Sequence, residues 1–252
     1  MAVLSSGSAT GFVRAALAGS PGPARLLGSF PTACYLELGS GAVIAVLTSD
    51  AVQLPIGLTL PWPSSGLDLP SLVRGGRPAV RPGELRLGRL RVAVTGLRDA
   101  RLRYCGRPVE FPAVPDLRSV LPDGPLDPFG DPIAAAAGLL GRGPGLTPAG
   151  DDLLCGALAA GVLFGIPGNR LAEAVRDRLA GPLITTGLSR QLLLRALAGD
   201  GLPELQRLAE AMCSQDGVEQ ACRRLLRIGH SSGAALAAGL LAGARQARPA
   251  AA

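Results

Sequence analysis

The hydrophobic pattern of the chain changes near Ile133, and this change constrains the fold more than any other feature. Before it, short apolar runs alternate with turn residues, and most of the 22 prolines lie in this part. After it, Ala and Leu recur at helical spacing. We therefore predict an α+β protein: a mostly antiparallel β N-terminal part, as a small barrel or sandwich, followed by an all-α C-terminal domain.

The N-terminal pattern predicts a β-rich domain over 1–115, followed by a connector rich in Pro and Asp over 116–132. A short helix is expected over 7–18, ahead of the breaker at 20–23. The stretch 52–60 contains Pro55 and ends at Pro61, which suits an edge strand. The other predicted strands are short and lie at 34–38, 42–48, 85–87, 90–94 and 100–104.

The C-terminal pattern predicts a helical domain over 133–252. Its longest apolar runs, 153–166 and 234–244, are shorter than the ~20 residues of a membrane span, so we expect buried helices and no membrane contact. The N-terminus lacks the pattern of a signal peptide, which favours the cytoplasm. Gly, Pro or Asn residues separate predicted helices at 133–140, 151–165, 168–180, 184–198, 202–213, 216–227 and 232–246.

Charge and cysteine content exclude several classes of protein. The net charge is +6, and all 25 basic residues are Arg. These arginines are scattered rather than gathered in a stripe with aromatic or helix-turn-helix support, so we predict no nucleic-acid partner. The five cysteines are odd in number and form no C-x-x-C pair, which argues against a disulfide framework or a zinc ribbon and favours a reducing cytoplasm. Cys155 is predicted to be a small core residue.

The glycine-rich segment 141–152, with the sequence GRGPGLTPAGDD, is the first candidate functional element. Glycine allows left-handed angles and close backbone approach, and a helix start offers unpaired N–H groups at the positive end of its dipole. Such a segment can hold a phosphate or a carboxylate. It lacks the Lys-Ser/Thr ending of a P-loop. The candidate anion-binding residues are Arg142, Gly143, Gly145, Thr147 and Gly150.

Asp151 and Asp152, at the end of this segment, are candidate catalytic residues. They can hold a magnesium ion, orient an amide or amine of a substrate, or act as a base. Magnesium is the one cofactor that these residues suggest. In the alternative interpretation, Thr147 or Asp151 caps the helix, and the acids only complement its dipole.

Two further segments precede predicted helices. His230, the only histidine, lies between glycines with Ser231 and Ser232, and it is a candidate proton donor or hydrogen-bond donor to a substrate. Ser231 and Ser232 can bind an anion or cap the helix. Thr185, Thr186 and Ser189 either form an N-cap and a solvated turn or line a hydroxyl-rich wall facing the glycine-rich segment; their separation places Thr186 and Ser189 on one face. A Ser-His-Asp hydrolase is disfavoured, because there is no nucleophile elbow.

These three segments resemble motifs of the family that includes the AllH-type subunit of bacterial oxamate carbamoyltransferase, an enzyme of anaerobic allantoin breakdown. The matching segments are G-x-G-P-G-L-T-P-A-G-D-D at 141–152, Thr-Thr-x-x-Ser at 185–189 and G-H-S-S-G at 229–233. The similarity is loose in the N-terminal half. The resemblance implies carbamoyl transfer between carbamoyl phosphate and oxamate, giving oxalurate and phosphate or running in reverse, and it implies partner subunits or a homo-oligomer.

The residues themselves are compatible with this chemistry, since both substrates are small anions and carbamoyl transfer develops charge on a carbonyl oxygen. His230 would polarise that carbonyl or move a proton. Two alternatives remain open. One is a non-catalytic anion-binding or scaffold subunit, and the other is a magnesium-dependent nucleotide-binding transferase.

Overall fold

The computed structural model describes residues 3–121, 127–166 and 170–247. The chain divides into two compact units, Met1–Ala100 and Arg101–Ala252, which we call the β unit and the helical unit. The predicted fold class is confirmed: the first unit is built on a mostly antiparallel sheet and the second on helices. Of the predicted connector over 116–132, residues 122–126 lie outside the described part of the chain.

A nine-stranded sheet forms the β unit, with the strand order β2-β7-β8-β9-β1-β6-β5-β4-β3. The β1–β9 and β5–β6 pairs are parallel, and the other pairs are antiparallel. The strands are β1 Val3–Thr10, β2 Gly22–Pro23, β3 Arg25–Ser29, β4 Ala33–Glu37, β5 Val43–Leu47, β6 Gly57–Thr59, β7 Ala79–Arg81, β8 Glu84–Leu87 and β9 Leu90–Arg98.

The two ends of this sheet must meet. Strands β2 and β3 lie at opposite ends of the strand order, yet only Ala24 separates them along the chain. The sheet therefore curls into a nearly closed barrel, which hides most of its edges. Its apolar interior includes Leu36, Ile44, Leu58 and Leu85. Helices α1 (Gly11–Leu17) and α2 (Leu69–Arg74) contribute Val13, Leu17, Leu69 and Val73 to the same core.

Three local predictions for this half of the chain are wrong. The helix expected over 7–18 begins only at Gly11, because Thr10 ends β1 and its hydroxyl caps the helix by accepting the Val13 N–H. The edge strand expected over 52–60 is reduced to β6, which lies inside the sheet between β1 and β5. The strand expected over 100–104 is an extended segment with a single bridge from Arg101 to Asp200. Strands β1, β2, β3 and β7 were not predicted.

The seven predicted helices of the second unit are confirmed, with ends that shift by up to three residues; positions 168 and 169 lie outside the described residues. Asp131 caps the first of them through the N–H groups of Ile133 and Ala134, and Pro132 occupies its first turn. The helices are α3 Pro132–Leu139, α4 Ala149–Leu163, α5 Arg170–Ala180, α6 Gly187–Leu197, α7 Pro203–Ser214, α8 Val218–Leu226 and α9 Ser232–Gln246.

Glycines bring α4 and α9 together backbone against backbone. A Cβ added to Gly156 would lie 2.1 Å from the Leu236 carbonyl oxygen, and one added to Gly239 would lie 2.0 Å from that of Leu153. Near the far ends of the helices, a Cβ on Gly243 would lie 2.3 Å from the Ala160 Cβ. The contacts of Gly156 with Leu236 and of Ala160 with Gly243 advance together along both helices, so the two helices run parallel with their N-termini at the same end.

Most of the apolar residues of α4 and α9 are buried inside the protein. Cys155 packs against the helical core, as predicted for a small core residue. Over the described ranges, no helix has both the length and the apolar character required to cross a membrane.

Candidate functional site

Glycine determines the path of the loop between α3 and α4. Gly141, Gly143 and Gly145 have φ angles of 74°, 111° and 92°, a region that side chains disfavour. A Cβ on Gly141 would also lie 2.0 Å from the Ile184 carbonyl oxygen. The loop closes where the Gly150 N–H donates to the Arg142 carbonyl oxygen at 2.9 Å. The repeated glycines thus allow the loop to fold tightly against the segment that precedes α6.

Side-chain capping does not explain the polar residues at the start of α4. The N-cap is Pro148, which makes no side-chain cap hydrogen bond, and its carbonyl oxygen accepts from the N–H groups of Asp151 and Asp152. The alternative in which Thr147 or Asp151 caps this helix is therefore wrong. For α9 the N-cap is Ser231, again without a side-chain cap bond. Only Thr186 acts as predicted for a cap, because its hydroxyl accepts the Ser189 N–H at 3.0 Å.

Asp151 ties the glycine-rich loop to the start of α6. Its side chain is fully buried, and its Oδ1 accepts the Gly141 N–H at 2.8 Å. Its Oδ2 accepts the Thr185 hydroxyl. Burial raises the pKa of Asp151, while hydrogen bonds from Thr185, Gly141 and Ser189 lower it in part. Both carboxylate oxygens of Asp151 are thus engaged within the protein.

Asp152 has a different environment, although it is the next residue. Only 5% of it is exposed, and its Oδ2 has no hydrogen-bond partner among the described residues. Burial, together with the neighbouring Asp151 carboxylate, raises the pKa of Asp152 to about 7, although hydrogen bonds from the Ser232 and Thr147 hydroxyls lower it in part. A buried carboxylate oxygen without a partner is uncommon and points to a water, an ion or a ligand at that position.

The three candidate segments meet at this acid pair. The Thr147 and Ser232 hydroxyl oxygens are 3.1 Å apart, which joins the starts of α4 and α9. The Thr186 hydroxyl donates to the Leu146 carbonyl oxygen at 2.5 Å, which joins the start of α6 to the same loop. Three helix N-termini, each the positive end of a dipole, therefore lie around Asp151 and Asp152.

The other candidate residues lie at the rim of this cluster. His230 is exposed in the turn before α9 and makes no hydrogen bond or ion pair with the described part of the chain. Ser231 and Arg142 are half-buried. Gly145 is exposed, with open space where a Cβ would be.

Sequence reasoning missed the partners that the backbone supplies. Gly141 and Leu146 were not among the candidate residues. The Gly141 N–H donates to Asp151, and the Leu146 carbonyl oxygen accepts from Thr186. The sequence did give a signal for Gly141, because it is the first residue of the glycine-rich motif. No three His, Cys, Asp or Glu side chains in the described ranges are grouped so that they could hold a metal ion. The acid pair alone offers few ligands to magnesium, which takes six oxygens, because both oxygens of Asp151 already accept hydrogen bonds.

Fold and site together define a class: an α+β protein whose helical unit joins three helix N-termini around a buried acid pair. Within that class, residues 139–244 match the family model of the oxamate carbamoyltransferase subunit AllH, which confirms the resemblance over this part of the chain. The matched region runs from the end of α3 into α9 and contains all three candidate segments. No solved structure matches the chain.

Proposed function

We propose that this chain is a subunit of a carbamoyltransferase-type enzyme, and that the acid pair and the surrounding helix starts bind its small anionic substrates. The observation that carries the proposal is the buried Oδ2 of Asp152, which has no hydrogen-bond partner among the described residues and lies where three helix starts are joined. The family match supports a role as an oxamate carbamoyltransferase subunit.

The helix starts suit anions of the size of oxamate and carbamoyl phosphate. The positive ends of the three helix dipoles attract a carboxylate or a phosphate, although the N–H groups of Gly150, Asp151 and Asp152 already donate to carbonyl oxygens of the loop. In the glycine-rich loop, Gly143 and Gly145 have no side chain to hinder a ligand from approaching their backbone. With a pKa of about 7, Asp152 is protonated in about half of the molecules near neutral pH, so its charge does not always oppose an anion.

To Asp152 we assign the transfer of the proton that this reaction requires. The amide nitrogen of oxamate attacks the carbonyl carbon of carbamoyl phosphate, so a C–N bond forms and the C–O bond to phosphate breaks. The ionised Asp152 accepts the proton that the nitrogen loses and delivers it to the departing phosphate. The products are oxalurate and hydrogen phosphate. A pKa near the working pH allows one group both to accept and to release the proton.

The neighbouring polar groups would hold this arrangement. Asp151, with both oxygens engaged, would act as a positioning residue that fixes the glycine-rich loop against Thr185. Thr147 and Ser232 would orient Asp152 or donate to the substrate. His230, exposed beside α9, would donate to the developing carbonyl oxygen.

Ligand-shift melting of the purified full chain, followed by an assay of oxalurate formation, tests the proposal. We expect oxamate and inorganic phosphate to raise the melting temperature. We expect Asp152→Asn to retain this shift and lose at least about 100-fold in turnover, the usual size of a general-base contribution. The matched control is Asp177→Asn, an exposed acid on α5 that should leave both measurements unchanged.

Each other outcome rejects a defined part of the proposal. Oxamate binding by a chain that has no turnover, even with its partner subunits, would indicate a non-catalytic anion-binding subunit. Stabilisation only by ATP with magnesium would indicate a nucleotide-dependent transferase. Full turnover in Asp152→Asn would remove Asp152 from the reaction.

A further inference from the structure

Four exposed arginines gather around one backbone contact in the β unit. The turn after α2 and the turn between β8 and β9 touch: a Cβ on Gly88 would lie 2.6 Å from the Leu72 carbonyl oxygen, and one on Gly76 would lie 3.3 Å from the Gly88 Cα. Each turn is flanked by two exposed arginines, so all four lie near the contact. We call them the arginine cluster: Arg74, Arg77, Arg86 and Arg89.

Little of the charge of this cluster is compensated within the chain. Arg77 and Arg89 make no hydrogen bond or ion pair to any residue that the structure describes. Arg86 donates from its Nε to the Gly88 carbonyl oxygen at 3.2 Å, a neutral acceptor. Of the four, Arg74 is the one that interacts with a described acid, Asp68, and it also donates to the Ser71 hydroxyl at 3.0 Å.

The strand pairing adds to the unfavourable charge. Arg86 on β8 lies directly opposite Arg91 on β9, and like charges at such positions destabilise a sheet. The nearby acid, Glu84, is engaged by Arg91 through an Nη2–Oε2 contact of 2.7 Å. Within the part of the chain that the structure describes, Arg86 therefore has no carboxylate partner. The contacts within the β unit therefore do not explain why four arginines gather here. An acidic partner would explain it, because its carboxylates would pair with these arginines.

We propose that the arginine cluster docks onto the acidic surface of another protein chain. Arginine recognises carboxylates through paired hydrogen bonds, and opposite surface charges speed and orient association. None of the four residues of the arginine cluster is aromatic, so the cluster itself offers no ring that could stack on a base. Phe12 and Trp62 pack against the core of the β unit, and Phe30, directly after β3, contacts Tyr35 on β4. A nucleic-acid strand would lack its usual stacking platform.

Binding of a fluorescent decaglutamate peptide to the full chain tests this proposal by anisotropy. A labelled decathymidylate is the comparison probe. We expect the peptide to bind, and its affinity to fall as NaCl rises from about 50 to about 300 mM, because salt screens exposed charges. We expect Arg86→Glu with Arg89→Glu to weaken peptide binding at least about tenfold.

The matched control is Arg14→Glu with Arg170→Glu, which changes the net charge equally at two exposed positions outside the cluster. It should bind the peptide within about twofold of wild type, and circular dichroism should show both variants folded. Equal weakening in both variants would assign the binding to overall charge and overturn the proposal. Tighter binding of decathymidylate than of the peptide, or no peptide binding by wild type, would also overturn it.

Discussion

Replacing Asp152 by Asn should stabilise the protein at alkaline pH, although the change lies at the centre of the candidate site. The ordinary pKa of the carboxyl is 3.8, and burial raises it to about 7 in the folded protein. Between these values the folded state holds a proton that the unfolded chain has released. Stability from this group therefore falls as pH rises from about 4 to about 7 and stays low above that range. Asn is nearly isosteric and carries no charge at any pH, so it avoids this loss.

The size of the effect follows from the pKa of Asp152. Each pKa unit corresponds to about 1.4 kcal/mol, so keeping Asp152 ionised in the folded state costs on the order of 4 kcal/mol. The Asn amide also loses part of its hydration when buried, at a cost of about 1–3 kcal/mol. We therefore expect Asp152→Asn to exceed wild type by about 1–3 kcal/mol at pH ~8 and to lose that advantage by pH ~5.

Urea unfolding of both proteins at four pH values between about 5 and 8 measures this difference. The transition of the helical unit should be followed, with Asp177→Asn as an exposed control on α5. A variant that is less stable than wild type at every pH would show that Asp152 is a structural acceptor whose hydrogen bonds outweigh its burial. A constant difference across pH would show that the carboxyl is not the titrating group. Either result would refute the reasoning.

Two further changes test how the site is held together. Gly239→Ala places a methyl 2.0 Å from the Leu153 carbonyl oxygen and forces α4 and α9 apart, so it should lower the melting temperature, since overpacking costs about 1–3 kcal/mol. The control is Gly11→Ala, because open space surrounds the position of its Cβ. Equal melting temperatures for the two variants would contradict the close packing of α4 and α9. Thr185→Val removes the hydroxyl that donates to Asp151 Oδ2 and should weaken oxamate binding, measured by calorimetry. Thr185→Ser keeps a hydroxyl and should restore oxamate binding. Failure of the Ser variant to restore binding would assign the weaker binding to altered packing.

The helical unit was largely predictable from the sequence because its information is local. Alternating Ala and Leu at helical spacing, together with Pro or Gly at the boundaries, located seven helices to within three residues. The β unit was less predictable because its pairing is distant in sequence. Strand β1 pairs with β9, whose residues lie 87 or 88 positions further along the chain, and the small residues of β1 carry little strand preference. Pro55 suggested an edge strand, but it precedes β6 and leaves the ladder of that strand intact.

The candidate site shows the same division. The three motifs could be recognised individually, since each combines glycine and hydroxyl residues with a following helix. Their convergence depends on Gly156 and Gly239, which bring α4 and α9 into backbone contact and which resemble ordinary small core residues in the sequence. The difference between the two acids also lay beyond the sequence. These neighbours on one helix turn differ because Gly141 and Thr185 donate to Asp151, whereas no described residue donates to the Asp152 Oδ2.

This difference bears on why the acid pair exists at all. If structure were the only requirement, one acid would suffice, because Asp151 alone joins the loop to α6. Asp152 adds no described hydrogen bond of its own at Oδ2, and its burial is unfavourable at neutral pH. A residue that lowers the stability of the folded protein is expected at a functional site, where selection acts on the reaction rather than on packing. The free energy lost by burying Asp152 is thus itself a reason to look for a proton transfer at this position.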